Sequence, residues 1–136
     1  MTKPCSILLI EDSFSQALRV QLLLQRQGYH VRIASDGAEG WQKACRELPD
    51  LILLDVNLPT LDGFQVLTRL KFSRATAHIP VVMLARCQYV GTIERALALG
   101  AAGYLFKDDC LEREGGPDYL STMIPRFLPG QQAISA

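Results

Sequence analysis

The 136-residue chain has room for one domain with a proper core; 49% of its residues are hydrophobic and 21% charged, ordinary for a globular protein. Fourteen basic residues balance fourteen acidic ones, so charge gives no reason to expect direct nucleic-acid or membrane-surface binding. Four cysteines lie far apart without a C-x-x-C, which excludes a disulfide frame or a cysteine metal site and, with no secretory h-region after Met1, points to reduced thiols in a cytoplasmic protein.

Ser6-Ile7-Leu8-Leu9-Ile10 is a continuous apolar run and predicts a first buried strand. It stops at Glu11-Asp12, and Ser13 follows as the N-cap of a helix running to Gln27. Phe14, Ala17, Leu18 and Leu22 fall on one side of that helix and are expected to face the core. Val20, Leu23 and Leu24 then form an excess apolar surface. Gly28 ends the helix. His30 to Ala34 predicts a second strand. The turn at Ser35-Asp36-Gly37 leads into a helix with Trp41, Ala44, Cys45 and Leu48 at helical spacing.

Leu51 to Leu54 runs straight into Asp55, and the chain then turns at Pro59 and at Asp62-Gly63. A short apolar run bounded by turn residues predicts a buried third strand with a carboxylate at its C-terminal end. A third helix follows with Phe64, Leu67 and Leu70 inward. Residues Ile79 to Leu84 predict a fourth strand, with Pro80 tolerated only at its start. A loop from Arg86 to Tyr89 precedes a fourth helix, Gly91 to Leu99, expected to bury Ile93, Ala96 and Leu97. Gly103 to Phe106 predicts a fifth strand that ends in Lys107. Gly115-Gly116-Pro117 delays a last helix, which Pro125 is expected to kink or end early. The tail from Pro129 reads as a frayed end or the start of a linker, giving a domain over residues 5–128 and a tail over 129–136.

Strands alternating with helices predict an α/β, doubly wound parallel sheet in a three-layer sandwich. All strand C-termini then lie on one edge, which collects Glu11, Asp12, Asp55, Ala85 and Lys107. Three clustered carboxylates repel unless a cation sits among them. Oxygen ligands without His or Cys suit Mg²⁺ or Mn²⁺. With Lys107, such a metal would neutralise a phosphoryl group, and Asp55 can be the nucleophile that accepts it.

The acidic pair Glu11-Asp12, Asp55 within DLILLDVNLPTLDGF, the IPVVML strand and GAAGYLFK with Lys107 together resemble a bacterial response-regulator receiver domain, over about residues 5 to 128. The resemblance implies a flavodoxin-like (βα)5 fold with strand order 2-1-3-4-5. It implies phosphoryl transfer to Asp55 from a histidine kinase or histidine phosphotransfer protein. Asp12, Asp55 and the backbone carbonyl of Asn57 would hold Mg²⁺, with Glu11 joining through water. Lys107 would pair with the phosphoryl oxygens, and Tyr104 matches an aromatic position that reorients on activation. Output would pass through the helix 4–strand 5–helix 5 face to a downstream protein or effector domain. A homodimer through that face stays open, as does whether the domain stands alone.

The chain departs from the family at Ala85, where relatives carry Thr or Ser, and at Arg86 beside it. The switch is therefore expected to be atypical. An interaction module that works without phosphorylation is the alternative. A dehalogenase-type phosphatase needs a second aspartate where Asn57 stands, and an FMN carrier would be repelled by Glu11-Asp12. The chain is therefore expected to be no enzyme beyond phosphorylating and dephosphorylating itself.

Overall fold

Apolar strands covered on both faces need no alternation, and five such strands form one parallel sheet in the order β2-β1-β3-β4-β5. The structure, a computed structural model, describes residues 3–86, 90–112 and 116–128. The strands are β1 (Ser6–Ile10), β2 (His30–Ala34), β3 (Leu51–Asp55), β4 (Val81–Ala85) and β5 (Gly103–Phe106). The helices are α1 (Phe14–Arg26), α2 (Gly37–Glu47), α3 (Gly63–Phe72), α4 (Val90–Ala98) and α5 (Gly116–Phe127). The doubly wound sandwich and its strand order are as expected. The expected Arg86-to-Tyr89 loop, Cys87, Gly115 and the tail from Pro129 fall wholly or partly outside the described residues.

Successive strand residues point to opposite faces, and each face has its own core. Ile7, Leu9, Leu53 and Leu84 pack with Ala17, Val20 and Leu24 of α1 and with Leu120 and Ile124 of α5. Leu8, Ile10, Ile52, Leu54 and Met83 pack with Ala44 of α2, with Phe64, Leu67 and Leu70 of α3, and with Ala96 of α4. Fully burying one such aliphatic side chain contributes roughly 1.5–3 kcal/mol, so the central strands are the least movable part of the molecule.

Four local expectations are corrected. In α1 the buried stripe is Ala17, Val20 and Leu24, whereas Phe14, Leu18 and Leu22 are exposed. The supposed excess surface is largely the core face, because small Ala17 lets the helix lie close to the sheet. Leu48 caps α2 with φ 47°, a left-handed conformation that turns its side chain into solvent. Leu97 of α4 is half exposed, whereas Ala96 is buried as expected. Strand β4 begins at Val81; Ile79 instead donates its N–H to Thr76 O in the preceding turn, at 2.9 Å.

Between β5 and α5 lies a π-helical turn, Asp108–Glu112, that the sequence reading missed. The side chain of Arg19 in α1 donates to the carbonyl of Leu111 and ties this turn to α1. Pro125 lies within the last turn of α5, and the helix runs two residues beyond it. Buried Ile124 and Leu128 on either side anchor that turn to the sheet.

Cys110 sits in the turn, 1% exposed, and burial first, then the charge of Asp109, pushes its thiol up to about 12. A thiol that stays protonated does not react. Iodoacetamide should therefore leave Cys110 unmodified in native buffer and modify it once denaturant is added, as read by peptide mapping. Native alkylation of Cys110 would show that this turn does not pack as described.

Candidate functional site

Strand register brings the acidic residues together. Ile10 pairs with Leu54, so Glu11 lies beside Asp55; Ala85 pairs with Phe106, so Lys107 enters from the next strand along. One carboxylate oxygen from each of Glu11, Asp12 and Asp55 lies within 4.8 Å of the others. Glu11 and Asp55 are buried and Asp12 is exposed, so the cluster opens to solvent on one side.

Lys107, itself buried, is the cation among them. Its Nζ lies 2.5 Å from Glu11 Oε1 and 2.8 Å from Asp55 Oδ2. It also donates to Gln16 Oε1 at 3.0 Å. An ammonium has three hydrogens, and these three acceptors take them all. Burial pulls the Lys107 ammonium down, but its hydrogen bonds and the charges of Asp55 and Glu11 outweigh burial, and the net direction is up. Burial pushes the Glu11 carboxyl up, a hydrogen bond with Asp55 adds to this, and Lys107 opposes it. Three carboxylates against one ammonium leave an excess of negative charge. A donor set of oxygens alone, open to water at Asp12, fits a hard divalent cation among Glu11, Asp12 and Asp55.

The loop after β3 is pinned to the site. Asn57 donates its N–H to Asp55 Oδ1 at 3.1 Å, while its side chain is exposed. Val56 donates to Leu84 O at 3.0 Å, and Gly63 donates to Val56 O at 2.9 Å. A Cβ on Gly63 would meet the Asp55 carbonyl oxygen at 2.3 Å, so only glycine lets α3 start against the end of β3. Asp62 caps α3, and Gln65 returns the bond to the Asp62 N–H in a complete capping box. Thr60 holds φ 67° and ties the loop to α2, accepting from Ala38 N–H and donating to Asp36 Oδ1.

Ala85 is fully buried at the end of β4 and offers only a methyl group. Tyr104 of β5 is half-buried, packs on the same core and sits 5.4 Å, ring centre to ring centre, from Phe106. The structure thus brings Glu11, Asp12, Asp55 and Lys107 into one cluster and places Asn57 against Asp55. Ala85 and Tyr104 lie on the neighbouring strands. Sequence reasoning missed Gln16. Its signal was available: Ser13-Phe14-Ser15-Gln16 has the spacing of a capping box.

A profile of the response regulator receiver domain matches residues 7–113. Response regulator PleD of Caulobacter vibrioides is 38% identical over 101 residues, covering 74% of this chain and 22% of that protein. The chain thus spans well under half the length of that relative. CheY4 of Vibrio cholerae, a chemotaxis protein, superposes with TM-score 0.82 at 28% identity, covering 93% of this chain and 100% of that one. The receiver domain of the sensor histidine kinase PA1611 of Pseudomonas aeruginosa PAO1 superposes with TM-score 0.79 at 26% identity, covering 92% and 98%. That structure holds a magnesium ion in its active-site cleft.

Proposed function

The chain belongs to the response regulator receiver domain family, and from that membership we propose that it is the phosphoacceptor of a two-component phosphorelay, with Asp55 taking the phosphoryl group. Receiver domains are phosphoacceptors rather than classical enzymes, and turnover here would be limited to acquiring and losing that group. The observation that carries the reading is Asp55 itself, a buried carboxylate beside two others and held by a buried ammonium. A lone structural aspartate at a strand end would not sit in an excess of like charge.

In the step, a carboxylate oxygen of Asp55 attacks phosphorus. The P–N bond to a donor histidine breaks, and its electron pair stays on the imidazole nitrogen. Asn57 N–H fixes one Asp55 oxygen and Lys107 the other, so the nucleophile is oriented before the donor arrives. Lys107 then offers a hydrogen bond to the charge on the phosphoryl oxygens. Asp12, Asp55 and the backbone carbonyl of Asn57 would hold Mg²⁺ or Mn²⁺, with Glu11 joining through water. The ion would supply charge neutralisation. Exposed Phe14, Leu18 and Leu22 on α1, next to the acidic pair, give a histidine kinase or phosphotransfer protein an apolar surface to dock on.

Output would pass through α4, β5 and α5, where Tyr104 lies, to a downstream protein or effector domain. The buried methyl of Ala85 favours an atypical switch and supports the second reading, an interaction module that works unphosphorylated. No helix among the described residues is long and apolar enough to cross a membrane, and a cytoplasmic site of action fits this family.

The test is transfer from a phosphorylated histidine phosphotransfer domain in the presence of Mg²⁺. Label should move to the wild-type chain and not to Asp55→Asn. Absence of transfer from any phosphodonor would favour the interaction module, and equal transfer to both would place the phosphoryl group on a residue other than Asp55.

A further inference from the structure

Two helices in this chain begin with the same signature, and they use it differently. In α3, Asp62 accepts from Gln65 N–H at 2.9 Å and Gln65 Oε1 accepts from Asp62 N–H at 2.9 Å, closing the box. In α1, Ser13 Oγ accepts from Gln16 N–H at 3.4 Å, but the Gln16 carboxamide does not turn back to Ser13. The Ser13 N–H goes to Glu11 Oε2 at 3.1 Å instead. That leaves Gln16 Oε1 available to Lys107. Glu11 thus bridges the two halves, with one oxygen on Lys107 and the other on Ser13.

Resting on the phosphoacceptor reading above, we propose that Gln16 is a positioning residue for Lys107. Its carboxamide oxygen carries the third hydrogen of the ammonium in the resting protein and releases it when a phosphoryl oxygen arrives. Gln16 is the one uncharged partner of the three. Giving up Glu11 or Asp55 would leave a buried carboxylate poorly compensated, while giving up a half-buried amide costs least. The released carboxamide has a destination within its own helix turn, the Ser13 N–H that Gln65 shows to be the ordinary partner in this geometry. Closing that box frees one oxygen of Glu11. The phosphorylation state of Asp55 is thereby reported at the start of α1 through hydrogen bonds, independently of the methyl at Ala85.

Acetyl phosphate with Mg²⁺ gives the test, because no protein partner is needed. The Asp55 oxygen–phosphorus bond forms as the bond from phosphorus to acetate breaks, and acetate leaves with the electron pair. Wild type should be phosphorylated and Asp55→Asn should not. Failure of that control removes the phosphoacceptor reading itself and this inference with it. Given that control, Gln16→Ala should be phosphorylated roughly fivefold more slowly at saturating donor, the worth of the one neutral hydrogen bond that the released carboxamide gains from Ser13 N–H in the transition state. The donor concentration giving half the maximal rate should be unchanged. Ser15→Ala, one residue away and not bonded to Lys107, should stay within about twofold of wild type by the same scale.

NMR supplies a second readout that a purely structural glutamine would not move. On adding beryllofluoride, a phosphoryl mimic, the Gln16 side-chain amide and the Ser13 backbone amide of wild type should both shift. Wild-type rates for Gln16→Ala, or stationary Gln16 and Ser13 signals in a beryllofluoride complex that shifts Lys107, would overturn the inference.

Discussion

Lys107→Met is expected to slow phosphorylation of Asp55 on the order of 100-fold, the usual cost of deleting one donor that meets developing charge, and to destabilise the fold by about 3 kcal/mol. Both effects come from one atom. Nζ is the shared partner of Glu11, Asp55 and Gln16, and it is buried with the two carboxylates. Methionine keeps an unbranched side chain one atom shorter and removes the charge, so packing changes little while two buried carboxylates lose their cation. The variant also has a pH signature. The Glu11 carboxyl already titrates above its ordinary range, by burial first and by Asp55 second, with Lys107 opposing. Removing the opposing cation moves it further up. A carboxyl raised in the fold contributes stability that is fully present below its unfolded pKa and is lost as pH rises through the folded value. Lys107→Met should therefore gain stability as pH falls from neutral toward the ordinary carboxylate range. Urea unfolding at a series of pH values reads this directly. A variant that keeps wild-type stability at neutral pH would show that the ammonium does not compensate the cluster.

Gly63→Ala is the second large effect, and it needs no change in any charged group. The new Cβ would meet the Asp55 carbonyl oxygen at 2.3 Å and Val56 Cα at 2.7 Å, both backbone atoms that no rotamer change can move. The start of α3 must retreat, and the Gly63-to-Val56 hydrogen bond must lengthen with it. The expected loss is about 3 kcal/mol of stability. Because Asn57 N–H holds Asp55 from the same loop, displacement on the order of 1 Å should also slow phosphorylation on the order of 100-fold. Gly91→Ala is the matched control. Nothing lies within 4 Å of a Cβ there, and Gly91 sits inside α4, so alanine should stabilise by roughly 0.5–1 kcal/mol. Equal behaviour of the two variants in thermal melts would contradict the close approach of α3 to β3.

The fold was legible because its strands are covered on both faces. Runs such as Leu51 to Leu54 can be nothing but buried, and each ends at a turn or an acidic residue that marks the edge of the sheet. The candidate site was legible for the same reason. Once the strands are parallel, their last residues must meet, and Glu11, Asp55 and Lys107 follow from register alone. What failed was the choice between overlapping helical stripes. Beside Ala17, which was expected to be inward, Phe14, Leu18 and Leu22 repeat as regularly as Val20 and Leu24. Close packing of helix on sheet around the small Ala17 turns Val20 and Leu24 inward, and that distance is not written in the periodicity of α1. In α4 the expected inward face was too wide, since Ala96 is buried and Leu97 beside it is half exposed. The π-helical turn after Lys107 has no composition signature, since its hydrogen bonding depends on where β5 and α5 must lie. Gln16 was overlooked because only Ser13 was read as a cap, and the capping-box spacing from Ser13 to Gln16 went unused. Only the structure shows that Glu11 has taken over half of that box.

Borohydride trapping tests the phosphoacceptor assignment most directly. Reduction of an aspartyl phosphate gives homoserine, and peptide mapping then locates the residue that carried the acyl phosphate. After treatment with acetyl phosphate and Mg²⁺, homoserine should be found at position 55 and nowhere else, and chelating the metal beforehand should prevent its formation. Homoserine at position 12, phosphate retained on a histidine, or no trapped product at all from a folded protein would contradict the assignment of Asp55 as the residue that accepts phosphate.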